Sequence, residues 1–209
     1  MQTLSDEQLH NLVERVVNQT LGGMMNPVSA PVPEPSKPLL QESPAPVANG
    51  QKAEATRRVV AIGTDHGGVD LKAALKADLG EMGYEVIDCG TDTKDAVDYP
   101  DIALAVAQLV ASGKAWRGVV IDGAGIGSCM SANKVPGVRA AMCYDLSTAL
   151  NSREHNDANV LTLGAGLIGV ALAKAILKTW LATEFGGGRH AKRVEKIIAI
   201  EKAYLKEGK

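Results

Sequence analysis

Gly118-Val119-Val120-Ile121-Asp122-Gly123-Ala124-Gly125-Ile126-Gly127 is the stretch on which the reading of the fold turns. Gly118–Ile121 is a short apolar run ended by a glycine turn, the pattern of a strand buried on both faces. Gly123, Gly125 and Gly127 remove side-chain obstruction and permit unusual dihedrals, so backbone amides there can converge on an anion. The same strand-and-helix rhythm runs outward in both directions. Upstream, Arg58–Gly63 reads as a strand, a helical pattern runs through Leu71, Leu75, Leu79 and Met82, Tyr84–Asp88 is strand-like, and a helix lies near Ile102–Ala111. Downstream, Val138–Cys143 and Asn159–Leu163 read as strands, with helices at Leu146–Glu154, Val170–Leu181 and Arg189–Leu205. Five strands separated by helices predict an α/β domain, a parallel sheet with helices on both faces and right-handed crossovers.

Composition agrees with that plan and excludes several function classes. The chain has 209 residues, enough for one good-sized domain, and its 45% hydrophobic content suffices for a packed core. Aromatic residues are only 3%, so Ala, Val, Leu and Ile must fill the interior. A net charge of −2 gives no positive footprint for nucleic acid. Cys89, Cys129 and Cys143 stand at no metal-ligand spacing and are odd in number, which predicts a reduced, intracellular protein without a disulfide framework. No signal peptide or membrane-length apolar run is expected, and no His/Cys/Asp/Glu set at ligand spacing argues for a metal.

The first third reads differently. Leu9, Leu12, Val13, Val16 and Leu21 recur at helical spacing, predicting an amphipathic helix over residues 6–21. Ser5 and Gln8 are placed for a capping box, Leu4 and Leu9 for a hydrophobic staple, and Gly22-Gly23 for a stop. Residues 26–56 hold seven of the nine prolines and read as a flexible Pro/Ala-rich linker. The expected organisation is therefore a helical peptide at 1–25, a linker at 26–56 and the main domain at 57–209. A helix this short is marginal alone, so residues 4–21 need a partner surface, either on a second protein or on the chain's own domain.

In parallel sheets, ligands bind outside the carboxyl ends of the strands. That rule places Thr64-Asp65-His66-Gly67-Gly68, Asp122–Gly127 and Tyr144-Asp145 on one edge. The glycine loop alone is a weak signal, and its third glycine comes one residue too early for dinucleotide binding. Further segments are Asp98-Tyr99-Pro100, Ala132-Asn133-Lys134-Val135-Pro136-Gly137, Arg153-Glu154-His155-Asn156-Asp157-Ala158-Asn159-Val160 and Gly187-Gly188-Arg189-His190-Ala191-Lys192-Arg193-Val194-Glu195. Taken in order over residues 58–201, these closely resemble the motifs of ribose-5-phosphate isomerase type B, whose superfamily includes galactose-6-phosphate isomerase subunits. The resemblance implies a three-layer, Rossmann-like αβα domain and an aldose-ketose isomerase acting without cofactor through a cis-enediolate. It also implies a homodimer, possibly a tetramer, with shared active sites. The N-terminal pattern is similar to bacterial microcompartment encapsulation peptides, which implies a shell or cargo partner and a microcompartment lumen, with the cytoplasm as the alternative location.

Position by position, the resemblance assigns Asp65, His66 and Tyr99 to the sugar, and Gly123, Ala124, Gly125, Ile126 and Gly127 to the reacting end, where amides would stabilise an enediolate. It gives His155 to ring opening, Asn156 to a substrate oxygen, and Arg189 with Arg193 to the phosphate. Those two arginines lie four apart on a predicted helix and so share a face. Each assignment has a plain structural alternative: a solvated helix face for the arginines, a hydrogen-bonded structural role for His155, and a helix cap for Asp65.

Two departures stand out. The family's usual base is a cysteine where this chain has Asp122, and another branch's glutamate falls at Ser128. Asp122 is then the expected base, with Cys129 as the lesser candidate, and Ala124 replaces a hydroxyl residue that a carboxylate would not need. Gly166 stands where relatives carry a phosphate-binding arginine. Another pentose or hexose phosphate as substrate, or a non-catalytic sugar-phosphate-binding scaffold, remain the alternative functions.

Overall fold

A computed structural model describes residues 58–205; the readings of residues 1–25 and 26–56 lie outside the described residues. The strands are β1 (Val59–Thr64), β2 (Glu85–Asp88), β3 (Arg117–Asp122), β4 (Ala140–Met142) and β5 (Val160–Gly164). The helices are α1 (Val69–Glu81), α2 (Tyr99–Ala111), α3 (Ile126–Ala132), α4 (Leu146–Glu154), α5 (Val170–Ala182) and α6 (Arg189–Tyr204). The strands form one sheet in the order β2-β1-β3-β5-β4, with every neighbouring pair parallel.

Successive strand residues point to opposite faces, and both faces are apolar. Val60, Ile62, Val119, Ile121, Leu161 and Leu163 pack under α1, α4 and α5, against Leu75, Leu79, Ala149, Ile176, Leu177 and Trp180. Ala61, Val120 and Val160 face α2 and α3, against Ala103, Val106, Ala107, Val110 and Ala132. This second face is built from small residues because α2 comes very close: a Cβ on Gly118 would stand 2.6 Å from Val106 Cγ1. The scarcity of aromatic residues thus has a packing reason.

The expected strands and long helices are all present, with ends shifted by a few residues. Helix α2 starts at Tyr99 rather than Ile102, since Pro100 occupies the first turn, where its missing N–H costs nothing. Helix α3 was not expected. Gly127 and Ser128 are poor helix formers, and the start, Gly125, has φ 78° and no capping side chain. Tertiary contacts supply the missing start: the Asp122 carboxylate accepts the Ser128 amide, and the Thr162 hydroxyl donates to the Gly125 carbonyl at 2.9 Å.

Because every strand runs the same way, the two ends of β3 belong to different edges of the sheet. At its start Arg117, 2% exposed, stacks between Trp116 and Trp180 and donates to the carbonyls of Trp180 (2.7 Å), Leu181 (2.9 Å) and Thr183 (3.3 Å). These are orphan carbonyls of the α5 C-terminus, so a strand residue acts as the helix cap. Burial, and next the nearby Arg153 guanidinium, push the Arg117 pKa down to about 10, yet it keeps its proton at neutral pH. Arg117→Met should lower unfolding free energy by about 3 kcal/mol in urea titration, and Lys should restore only part, lacking the planar fork.

Candidate active site

Strand order places β1 beside β3 while their connections leave to opposite sides, β1 towards β2 and β3 towards β4. In such sheets the ligand crevice lies between the loops that follow them, at the carboxyl edge. The first loop contributes Asp65, 8% exposed, whose Oδ1 accepts the Gly67 amide at 2.9 Å. Asp65 therefore closes a local turn; the N-cap of α1 is Gly68. His66 is exposed, and its Nδ1 accepts the Val97 amide at 3.4 Å. The loops touch where a Cβ on Gly67 would come within 3.8 Å of the Gly123 amide nitrogen. Tyr99 covers the far side, its ring lying where a Cβ on Gly127 would be only 2.5 Å away.

Asp122 organises the second loop. Its carboxylate is 4% exposed and accepts the amides of Ala124 (2.8 Å), Gly125 and Ser128 (3.0 Å). Two of the five amides of this loop, those of Ala124 and Gly125, are thus engaged within it. Among the described residues, the amides of Gly123, Ile126 and Gly127 have no protein acceptor. Gly123 and Ile126 are exposed at the crevice. Cys129 lies elsewhere: its thiol turns to the Ala140 carbonyl at 3.4 Å, towards β4. Ser128 Oγ is buried without a partner beside Asp122. Gly166 stands at the same edge, its amide donating to the Gly123 carbonyl at 2.9 Å, where a Cβ would be 3.0 Å from that oxygen.

Of the remaining expected residues, His155 is brought to the start of α6, where Arg189 donates to the His190 ring stacked on it, whereas Asn156 lines a cavity with Asn133, Arg139 and Ile197. Helices α4 and α5 run back against the strands, so His155, Asn156, Arg189 and Arg193 all lie beyond their C-termini, at the strand starts. His155 caps α4, and its ring stacks on His190 with centroids 4.0 Å apart and planes 4° from parallel. The Gly186 amide donates to the Glu154 carbonyl at 2.9 Å, fastening the α5–α6 connection to this corner. The turn after His155 is held by Asp157, at φ 48°, which receives Arg139 at 3.0 Å and Arg153 at 2.8 Å. Sequence reading quoted Arg153 and Asp157 within a motif without giving them a role, and it missed Arg139, whose partner Asp157 is 18 residues away. Arg189 and Arg193 are exposed at the start of α6 and make no ion pair among the described residues. Gly188 at φ 53° opens that helix, so its N-terminal dipole adds to the two guanidinium groups. Among the described residues there is no cluster of three or more His, Cys, Asp or Glu fit for a metal, and no helix long and apolar enough to cross a membrane.

Strand β3 has six residues, so the crevice and the His-Arg corner of one chain stand about 20 Å apart. The two edges differ in chemistry. One offers carboxylates, a tyrosine and free amides; the other offers imidazoles and two exposed arginines.

The fold is that of the class of parallel α/β proteins that bind ligands at the carboxyl edge of the sheet. The Ribose/Galactose Isomerase family matches residues 60–197, and the chain belongs to it. Among its relatives, ribose-5-phosphate isomerase B of Escherichia coli is 46% identical over 142 residues, covering 68% of this chain and 95% of that protein. D-erythrulose-4-phosphate isomerase of Pectobacterium atrosepticum is 45% identical over 139 residues, covering 66% of this chain and 91% of that protein. The solved structure of Clostridium thermocellum ribose-5-phosphate isomerase B superposes with TM-score 0.69 at 54% identity, covering 70% of this chain and 99% of that one.

Desolvation, and then His155, Arg189 and Arg193, hold the His190 pKa below the ordinary histidine value. The unfolded chain therefore binds this proton more readily. Stability should be full above about pH 6.5 and fall as pH drops below it, and His190→Asn should flatten that slope in thermal melts between pH 7.5 and 5.

Proposed function

We propose that this protein interconverts ribose 5-phosphate and ribulose 5-phosphate in sites assembled from two copies of the chain. What supports the reading is that the residues assigned to the reaction lie on opposite sheet edges of a single chain. Juxtaposing the crevice of one copy with the His-Arg corner of another supplies every group the isomerisation needs. Arg189 and Arg193 grip the phosphate at the α6 N-terminus. His155 moves a proton to open the furanose ring, and Asn156 holds a substrate oxygen. Asp65, His66 and Tyr99 bind hydroxyls of the opened chain.

The base then takes the proton from C2 of the open aldose. The electron pair enters the C1–C2 bond, and negative charge collects on O1. The amides of Gly123, Ile126 and Gly127 face that oxygen, a preorganised set of donors at the point of charge development. The same base returns the proton to C1, while the O2 proton passes to O1 and leaves the ketone at C2. We assign the base to Asp122, whose Oδ2 accepts a single amide and keeps a lone pair. A second reading gives it to Asp65, whose Oδ2 has no donor among the described residues.

Substrate choice is the second open point. The Pectobacterium relative is named for a four-carbon sugar phosphate, and Gly166 leaves this chain's carboxyl edge open at a position facing the glycine loop. For the N-terminal segment we propose docking of residues 4–21 to a shell or cargo protein of a bacterial microcompartment, supported by the capped amphipathic pattern and the long proline-bearing tether. Deleting residues 1–25 should leave turnover unchanged and abolish co-localisation with a shell; loss of turnover instead would sink the docking role.

The decisive experiment combines variants. Asp122→Asn and His155→Ala should each lose at least about a hundredfold in kcat for ribose 5-phosphate, and mixed subunits should regain about a quarter of wild-type activity, because half the dimers carry one intact site. No recovery removes the shared site. Near-normal Asp122→Asn activity transfers the base to Asp65. Inertness of the folded wild type towards four-, five- and six-carbon aldose phosphates leaves the binding scaffold.

A further inference from the structure

The loop at 89–98, between β2 and α2, bears on both halves of the carboxyl-edge crevice. It leads directly into Tyr99, and its Val97 amide donates to His66 Nδ1 at 3.4 Å. That bond makes Nδ1 an acceptor, so the neutral ring carries its proton on Nε2. The loop also runs along the end of β1, with Cys89 N donating to Ile62 O at 2.8 Å and Thr91 N to Thr64 O at 3.2 Å.

The anchor of this loop is a buried cation. Lys72 on α1 has a side chain only 1% exposed, and its ammonium donates to Asp88 Oδ1 at 2.9 Å and Asp92 Oδ1 at 2.7 Å. Asp88 ends β2 and is fixed on its own account, since it also receives Lys76 and the Gly90 amide. Asp88 thus ties Lys72 to the end of β2 while sharing its single charge with Lys76. Asp92 is different: it sits in the loop, its side chain is 80% exposed, and Lys72 is its sole ion-pair partner among the described residues. Burial works against the Lys72 charge, but the hydrogen bonds to Asp92 and Asp88 outweigh it, and the pKa lies above the ordinary lysine value. A second tie from the same loop, Lys94 to Asp70 at 3.1 Å, has both partners largely exposed and contributes little.

We infer that Lys72, acting through Asp92, is a positioning residue that straps the 89–98 loop in place and so sets the disposition of Tyr99 and the tautomer of His66. Its role is in substrate capture rather than in proton transfer. The inference rests on the proposed isomerase reading for its kinetic arm alone.

Asp92→Asn removes the charge at an exposed position and spares the fold, whereas Lys72→Met takes the shared buried cation from both carboxylates and serves as the harsher variant. Expected for Asp92→Asn is a rise of about tenfold in KM for ribose 5-phosphate, kcat within about twofold of wild type, and an unchanged melting temperature. Asp92→Glu should recover most of the KM, and Asp70→Asn should behave as wild type. In nitrogen NMR, the His66 ring should lose its fixed Nε2–H tautomer in Asp92→Asn. Unchanged KM and unchanged His66 spectra overturn the strap, as does an equal KM rise in Asp70→Asn. If the wild type does not turn over ribose 5-phosphate, the substrate reading fails, and the His66 spectra alone decide the strap.

Discussion

All five strands point the same way, and most of what the domain can do depends on that constraint. In a parallel sheet the loops leaving strands gather at one edge and those entering strands at the other. Backbone polarity follows the same division. The carboxyl edge holds the uncommitted amides of Gly123, Ile126 and Gly127, and the opposite edge holds the end of α4, the turn at Asp157 and the start of α6. A reaction that needs amides for an oxyanion and cations for a phosphate finds both in this chain, but not in one place. Assembly of copies is then a chemical requirement of the proposed function.

Three buried charges hold the two edges in shape, and each is compensated differently. Arg117 is met by helix-end carbonyls and aromatic faces, Lys72 by two carboxylates, and Asp122 by backbone amides. Burying an ion costs several kcal/mol unless its hydrogen-bonding capacity is met. Since these groups are met, the expense purchases geometry: a capped α5, an anchored 89–98 loop and a tightly wound glycine loop.

The sequence made the sheet legible because each strand is an apolar run ended by a turn, and the long helices keep their apolar period. Helix α3 escaped, since its start depends on Asp122 and Thr162, contacts that no local propensity encodes. The motif residues fell where topology requires, at one edge or the other. What could not be read was how side chains are spent. Asp122 looked like a free carboxylate at a strand mouth and is engaged by three amides. The roles of Lys72 and Arg117 were not legible at all, because their partners are distant in sequence: Asp88 and Asp92 for Lys72, the end of α5 for Arg117.

Arg117 and Asp122 also index the central strand. They are five residues apart, an odd interval, so they leave β3 on opposite faces as well as at opposite ends: Arg117 on the side of Trp180, Asp122 on the side of α3. Sliding β3 by one residue between β1 and β5 would move both charges into the wrong layer, stripping a guanidinium of its carbonyls and a carboxylate of its amides together. Apolar strands of valine and isoleucine have little else to distinguish one alignment from the next. Here the error is penalised at both ends by charges of opposite sign, and the strand has a single permissible setting.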